Sequence, residues 1–344
     1  MAAHDRQFPA AITTPSAGAG QKLRVAAIAF CALLAAFWLV ARFFHLKALD
    51  EYPLSTVLSF ALLFAPYWFL GFGAAETLRA WLKTPASRIA ASALLALPYF
   101  VLEIPRGNLQ AAMAVALMVI PPLVAAVLEI WSAPGNWADF FVLASVGLLI
   151  DLGLLSTAWP LRGTGLPVWP GGLVGFPKLM MANVALYGYL VVKPVEGVGF
   201  DLMPKAYDLK YGLREFLFYA PVVLPLGFLL DFLHWHGTMP QAWAVPAAWV
   251  FTFFFVALPE ELFFRGLAQN LLERHMGKAC SLWLASALFG LSHFNKGAAF
   301  NWRYVLLATI AGVFYGRAWR AQRRLFASSI THASVDTVWS IWFR

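Results

Sequence analysis

The stretch Pro259-Glu260-Glu261-Leu262-Phe263-Phe264-Arg265 closes a run, His236 to Pro259, that contains no Asp, Glu, Lys or Arg and is otherwise fit to cross a bilayer. A carboxylate or guanidinium at the centre of a membrane helix costs roughly 2.5 to 3.5 kcal/mol even on insertion-based scales, so charges there mark function by default. Leu262, Phe263, Phe264, Leu267, Leu271 and Leu272 carry the apolar pattern past the charges. The three ionisable side chains therefore fall within a span and not at its solvated end.

Composition agrees with a membrane solvent. The chain has 344 residues, 61% hydrophobic and 12% charged, with mean hydropathy +0.70, where a soluble domain has roughly 45 to 50% apolar and about 25% charged residues. The expected fold is an all-α, polytopic transmembrane helix bundle. The net charge of +8 comes from Lys and Arg in short connections, where they set topology. No basic stripe with interleaved aromatics is present, so nucleic acid is excluded as a partner. Cys31 and Cys280 are far apart, without a CxxC, and support neither a disulfide framework nor a thiolate metal site.

Apolar runs of membrane length occur at Val25–Ala41, Leu54–Ala75, Ile89–Leu102, Leu109–Leu128, Ala138–Trp159, Leu173–Val192, Phe216–Leu233, Ala242–Leu272, Leu282–His293, Tyr304–Gly316 and Leu325–Phe343. That makes about eleven spans, or eight if the short or Pro-interrupted ones are half-spans. The expected organisation is a disordered tail over residues 1–24, a six-span region over 25–192, an amphipathic cytoplasmic connection over 193–215 and a five-span region over 216–344. Under strict alternation, every connection rich in Lys and Arg falls on one side: Lys22 and Arg24; Arg79, Lys83 and Arg88; Lys193 to Arg214; Arg274 and Lys278; Arg317 to Arg324. The positive-inside rule makes that side cytoplasmic, with the amino terminus inside and the carboxyl terminus outside.

The candidate chemistry lies in the last five spans. Glu261 and Arg265, four apart, share a helix face and can pair, while Glu260 points about 100° away and stays available to take a proton. Phe289-Gly290-Leu291-Ser292-His293 ends a later span, and His332 lies in the last one with Asp336 one turn on, placed to orient the ring. At 1.5 Å per residue, Glu260, His293 and His332 lie roughly 18, 18 and 12 Å from the cytoplasmic ends of their spans, near the middle of a core about 30 Å thick. Carboxylates and imidazoles at one depth around a water are the parts of a hydrolase. Arg317 reads as a cytoplasmic anchor.

The order Glu260-Glu261-x-x-x-Arg265, then Phe289-x-x-x-His293, then His332-x-x-x-Asp336, each on its own span, resembles the CPBP family of intramembrane proteases, the type II CAAX prenyl endopeptidases and their bacterial relatives. The resemblance covers roughly Phe216 to Arg344. It implies an endopeptidase that cuts near the carboxyl terminus of a membrane-associated protein or peptide in a prokaryotic plasma membrane. In that reading Glu260 and His293 activate water, Glu261 and Arg265 support the site, and His332 with position 336 completes it. Position 336 is commonly asparagine in the prenyl endopeptidases; Asp336 here cannot donate to an oxyanion when ionised, which favours orientation of His332. Cofactor use has two forms: no metal, the preferred one, or a zinc ion on Glu260, His293 and His332. The alternative function is a transporter or bacteriocin self-immunity protein that uses the same charges as an ion or proton path.

Overall fold

The computed structural model describes residues 17–43, 50–153, 155, 175–237, 239–296 and 300–343. All the regular structure among them is helical. In order come α1 (Ala17–Phe43), α2 (Pro53–Gly71), the short α3 (Ala74–Trp81), α4 (Pro85–Glu103), α5 (Ala111–Ile130), α6 (Trp137–Asp151) and α7 (Gly175–Leu186, running on as a π-helix through Tyr187–Val192). After an irregular stretch follow α8 (Ala206–Leu229), a helical path Ala244–Leu291, α11 (Trp302–Gln322) and α12 (Leu325–Trp342). Gly277, at φ 74 and ψ 177, breaks the long path into α9 (244–276) and α10 (278–291).

Leaving α3 aside, eleven helices among the described residues correspond to the eleven apolar runs. Among the described residues, six stretches are long and apolar enough to cross a membrane by themselves; this is an integral, multi-pass membrane protein. Helices α11 and α12 are less apolar because α11 carries arginines and α12 carries the buried Ser328, Ser329, Thr331, His332, Ser334 and Thr337. Pro66 in α2 and Pro121 and Pro122 in α5 do not end their helices, since neighbouring helices can satisfy the freed carbonyls.

Two boundaries differ from expectation. Helix α1 begins at Ala17, inside the expected tail, while residues 1–16 lie outside the described residues. The connection 193–215 is an irregular stretch followed by the first turns of α8. Phe200 and Leu202 are buried, yet Leu209 and Leu213 are exposed while Asp208 and Glu215 are fully buried. Charge pairing accounts for the two buried carboxylates. Arg324 Nε and Nη2 donate to Asp208 at 2.7 and 2.9 Å, Nη1 donates to Asp201 at 2.7 Å, and Nη2 also reaches the Met203 carbonyl at 2.7 Å. Glu215 meets Arg214 and Arg317 at 2.7 and 3.0 Å.

The basic connections gather at one end of the bundle. Lys193 Nζ bonds Asp139 and the Trp131 carbonyl, both at 2.7 Å. The His275 Nε2–H donates to the Gly135 carbonyl at 2.6 Å, and Asn270 donates to the Glu196 carbonyl at 2.8 Å. Arg320 pairs with Glu273 at 2.6 Å. At the other end the His236 amide bonds the Trp342 carbonyl at 2.8 Å.

The upstream and downstream regions share one core, which reaches from Ala26 to Ala333. The Tyr67 hydroxyl donates to the Phe254 carbonyl at 3.1 Å, and the Leu202 amide to the Gly71 carbonyl at 2.8 Å. Helix α7 packs against α2 on one side and α9 on the other. That seam leads to the site.

Candidate active site

Helix α9 is not regular where it carries its charges. Wider π turns at Phe253–Ala257 and Leu262–Gln269 flank the single α turn Leu258–Glu261, and such bulges often occur at functional sites. Glu261 and Arg265 nevertheless meet as expected: Arg265 Nη1 donates to Glu261 Oε1 at 2.8 Å, with both side chains fully buried. Arg265 Nη2 donates to the Gly312 carbonyl at 3.1 Å, and its guanidinium lies 4.5 and 5.1 Å from the ring centroids of Phe289 and Tyr315. Gly312 is what allows this approach, since a Cβ there would stand 2.9 Å from Ser286 and 3.1 Å from Arg265 Nη2.

His332 is buried at the centre of three carboxylates. Its Nδ1–H donates to Glu261 Oε1 at 2.8 Å; its Nε2 lies 3.4 Å from Asp336 Oδ2 and 3.7 Å from Glu260 Oε2. The Tyr315 ring stacks on the imidazole with centroids 4.5 Å apart and planes 15° apart, and Phe289 meets it edge-on at 5.5 Å. Asp336 does approach His332 from one turn away. The shorter contact that fixes the ring comes from Glu261, 71 residues distant.

Glu260 faces away from the Arg265 contact, as the helical offset requires. It is not free. Lys178 of α7 donates from Nζ to Glu260 Oε1, with side chains 20% and 17% exposed. Lys178 was not among the expected site residues, although it is the one charged residue in the run Leu173–Val192. The cost argument that exposed Glu260 applies to it equally. Three carboxylates thus face two permanent cations, and the third is balanced only when His332 carries both ring protons.

His293, two residues past the end of α10, stands across a cavity from His332. The cavity, about 100 Å³, is walled by His293, His332, Asp336, Tyr219, Tyr304, Tyr315 and Trp339 among other, mostly apolar, side chains. The His293 Nδ1–H donates to the Phe289 carbonyl at 2.8 Å, which leaves Nε2 of the neutral ring as an acceptor. Its ring packs on Phe289 and Tyr304 at 4.9 and 4.8 Å. Glu260 and His293 are electrostatic neighbours, but no hydrogen bond joins them among the described residues. Arg317, at the far end of α11, pairs with Glu215 outside this cluster.

Glu260, His293 and His332, the set that zinc would need, do not form a metal site in this arrangement. Lys178 occupies Glu260, and both His332 nitrogens face carboxylates. Among the described residues no three His, Cys, Asp or Glu side chains are placed to hold a metal ion.

Residues 241–338 match the family model described as type II CAAX prenyl endopeptidase Rce1-like. This is the family to which the three motifs pointed, and the match spans α9 to α12, including all six expected site residues. It supports CAAX-type intramembrane endopeptidase chemistry in general terms. No curated protein and no solved structure matches the chain.

Proposed function

We propose that this protein is an intramembrane endopeptidase that hydrolyses a peptide bond near the carboxyl terminus of a membrane-associated protein or peptide, with Glu260 as general base. The observation that carries the reading is the convergence of Glu260, Glu261, Arg265, His332 and Asp336, from helices α9 and α12, beside a cavity that His332 and Asp336 line together with His293. Buried in a bilayer, such a cluster has a cost that only chemistry or transport justifies.

The roles follow from which atoms are already committed. Glu261 holds Arg265 and His332 and is a framework residue. Glu260 takes a proton from a water molecule that the His293 Nε2 acceptor orients. The water oxygen attacks the substrate carbonyl, and the oxyanion forms where the His332 Nε2–H can donate to it. The C–N bond then breaks, the proton held by Glu260 passes to the leaving amine, and the hydroxyl remains on the acyl fragment. Apolar walls around the cavity suit a greasy side chain or lipid-modified residue next to the scissile bond. In this reading the gathered basic connections face the cytoplasm, as the positive-inside rule favours, and the carboxyl terminus lies outside, in a prokaryotic plasma membrane.

Glu260→Ala and His293→Ala, each purified in lipid nanodiscs and given a prenylated peptide with a carboxyl-terminal CAAX box, should lose at least about 100-fold in turnover, the lower end of general acid–base contributions. Both should insert normally. Full turnover in both variants would sink the assignment. Terminal proteomics of a host lacking the protein would identify the natural substrate; a transporter would leave protein termini unchanged.

A further inference from the structure

We infer that Lys178 is a positioning residue for the reaction at Glu260, so that the upstream helices form part of the active site. This rests on the peptidase reading above. Lys178 stands in the first turn of α7, outside the matched residues 241–338, and its ammonium meets Glu260 Oε1. The other oxygen, Oε2, faces His332 Nε2 at 3.7 Å. The carboxylate is therefore held at one oxygen by a cation from α7, while its other oxygen faces an imidazole from α12 beyond hydrogen-bond distance. A base must present one lone pair to its water in a fixed direction, and a misplacement of 1 Å can cost 100-fold.

The lysine comes from a rigid element. Leu179, Met180, Met181 and Ala182, next along α7, are buried, and Asn183 Nδ2 donates to the Leu63 carbonyl of α2 at 2.7 Å. Glu261 cannot substitute for the contact because its charge is already shared by Arg265 and His332.

The test uses the full chain in nanodiscs with the same prenylated CAAX peptide, comparing wild type, Lys178→Met, Lys178→Arg, Glu260→Gln and the double variant Lys178→Met/Glu260→Gln. Lys178→Met should lower kcat by about 10- to 100-fold with KM within about twofold, and Lys178→Arg should recover most of that loss. In thermal melts without substrate, Lys178→Met should fall below the double variant, because only the single variant leaves the Glu260 carboxylate unpaired. A rise in KM at unchanged kcat would overturn the proposal and make Lys178 a substrate contact. Equal melting of the single and double variants would overturn the ion pair. Both results leave the peptidase reading standing. A wild type without turnover, whatever the melts show, would overturn that reading and the catalytic sense of this one with it.

Discussion

Glu261 Oε1 accepts a hydrogen bond from His332 Nδ1 at 2.8 Å while it also receives Arg265 Nη1 at 2.8 Å. One buried carboxylate oxygen thus joins the two helices that carry the candidate chemistry, α9 and α12. It couples the orientation of the histidine to an ion pair that is wholly withdrawn from solvent.

Glu261→Gln should therefore damage stability and activity together. Removing one partner of a buried pair leaves the other charge uncompensated, a cost of about 3–5 kcal/mol. Thermal melts in detergent should show the loss, and turnover should fall at least tenfold as His332 loses its acceptor. Glu261→Gln/Arg265→Met removes both charges and should regain much of the stability without regaining turnover. A melt no lower for the single variant than for wild type would contradict the pairing.

Gly290 sets how closely α10 and α11 approach. A Cβ there would stand 2.0 Å from Thr309 Oγ1 and 2.6 Å from the Val305 carbonyl oxygen. Gly290→Ala should cost about 1–3 kcal/mol through overpacking and lower turnover, since His293 is three residues on. Adding Thr309→Ala should restore only part of the melt, because the backbone oxygen cannot yield.

The gathered connections predict sidedness. In a Cys31→Ser/Cys280→Ser background, cysteines placed at Glu76 and Lys210 should react with an impermeant maleimide from the cytoplasmic side, and a cysteine at His234 from the opposite side. Labelling of all three from one side would refute the alternation of eleven spans.

Chelation tests the metal-free mechanism. Prolonged treatment with a zinc chelator should leave peptide turnover within about twofold of untreated enzyme, a change of no more than roughly 0.4 kcal/mol in barrier. Loss of turnover that added zinc restores would show that Glu260, His293 and His332 rearrange to bind a metal.

Much of this could be read along the chain because lipid makes the rules strict. Apolar run length located the helices, and the price of charge in hydrocarbon singled out Glu260, Glu261 and Arg265. The four-residue spacing paired Glu261 with Arg265 and brought Asp336 beside His332, since both are contacts within one helix. Lys178 carried the same signal in a run otherwise free of charge, but without a motif around it nothing tied it to Glu260, 82 residues away.

Sequence by itself determined the all-helical membrane class, the order of the spans and which side chains are too costly to be incidental, because each depends on local composition and helical period. Tertiary structure alone decided who meets whom across helices. It gave His332 to Glu261 more closely than to Asp336, and Glu260 to Lys178. It also turned Asp208 inward to Arg324 and left Leu209 exposed. The reason is physical: a buried charge takes the partner that packing brings within reach, and packing is fixed by the shapes of helices distant in sequence.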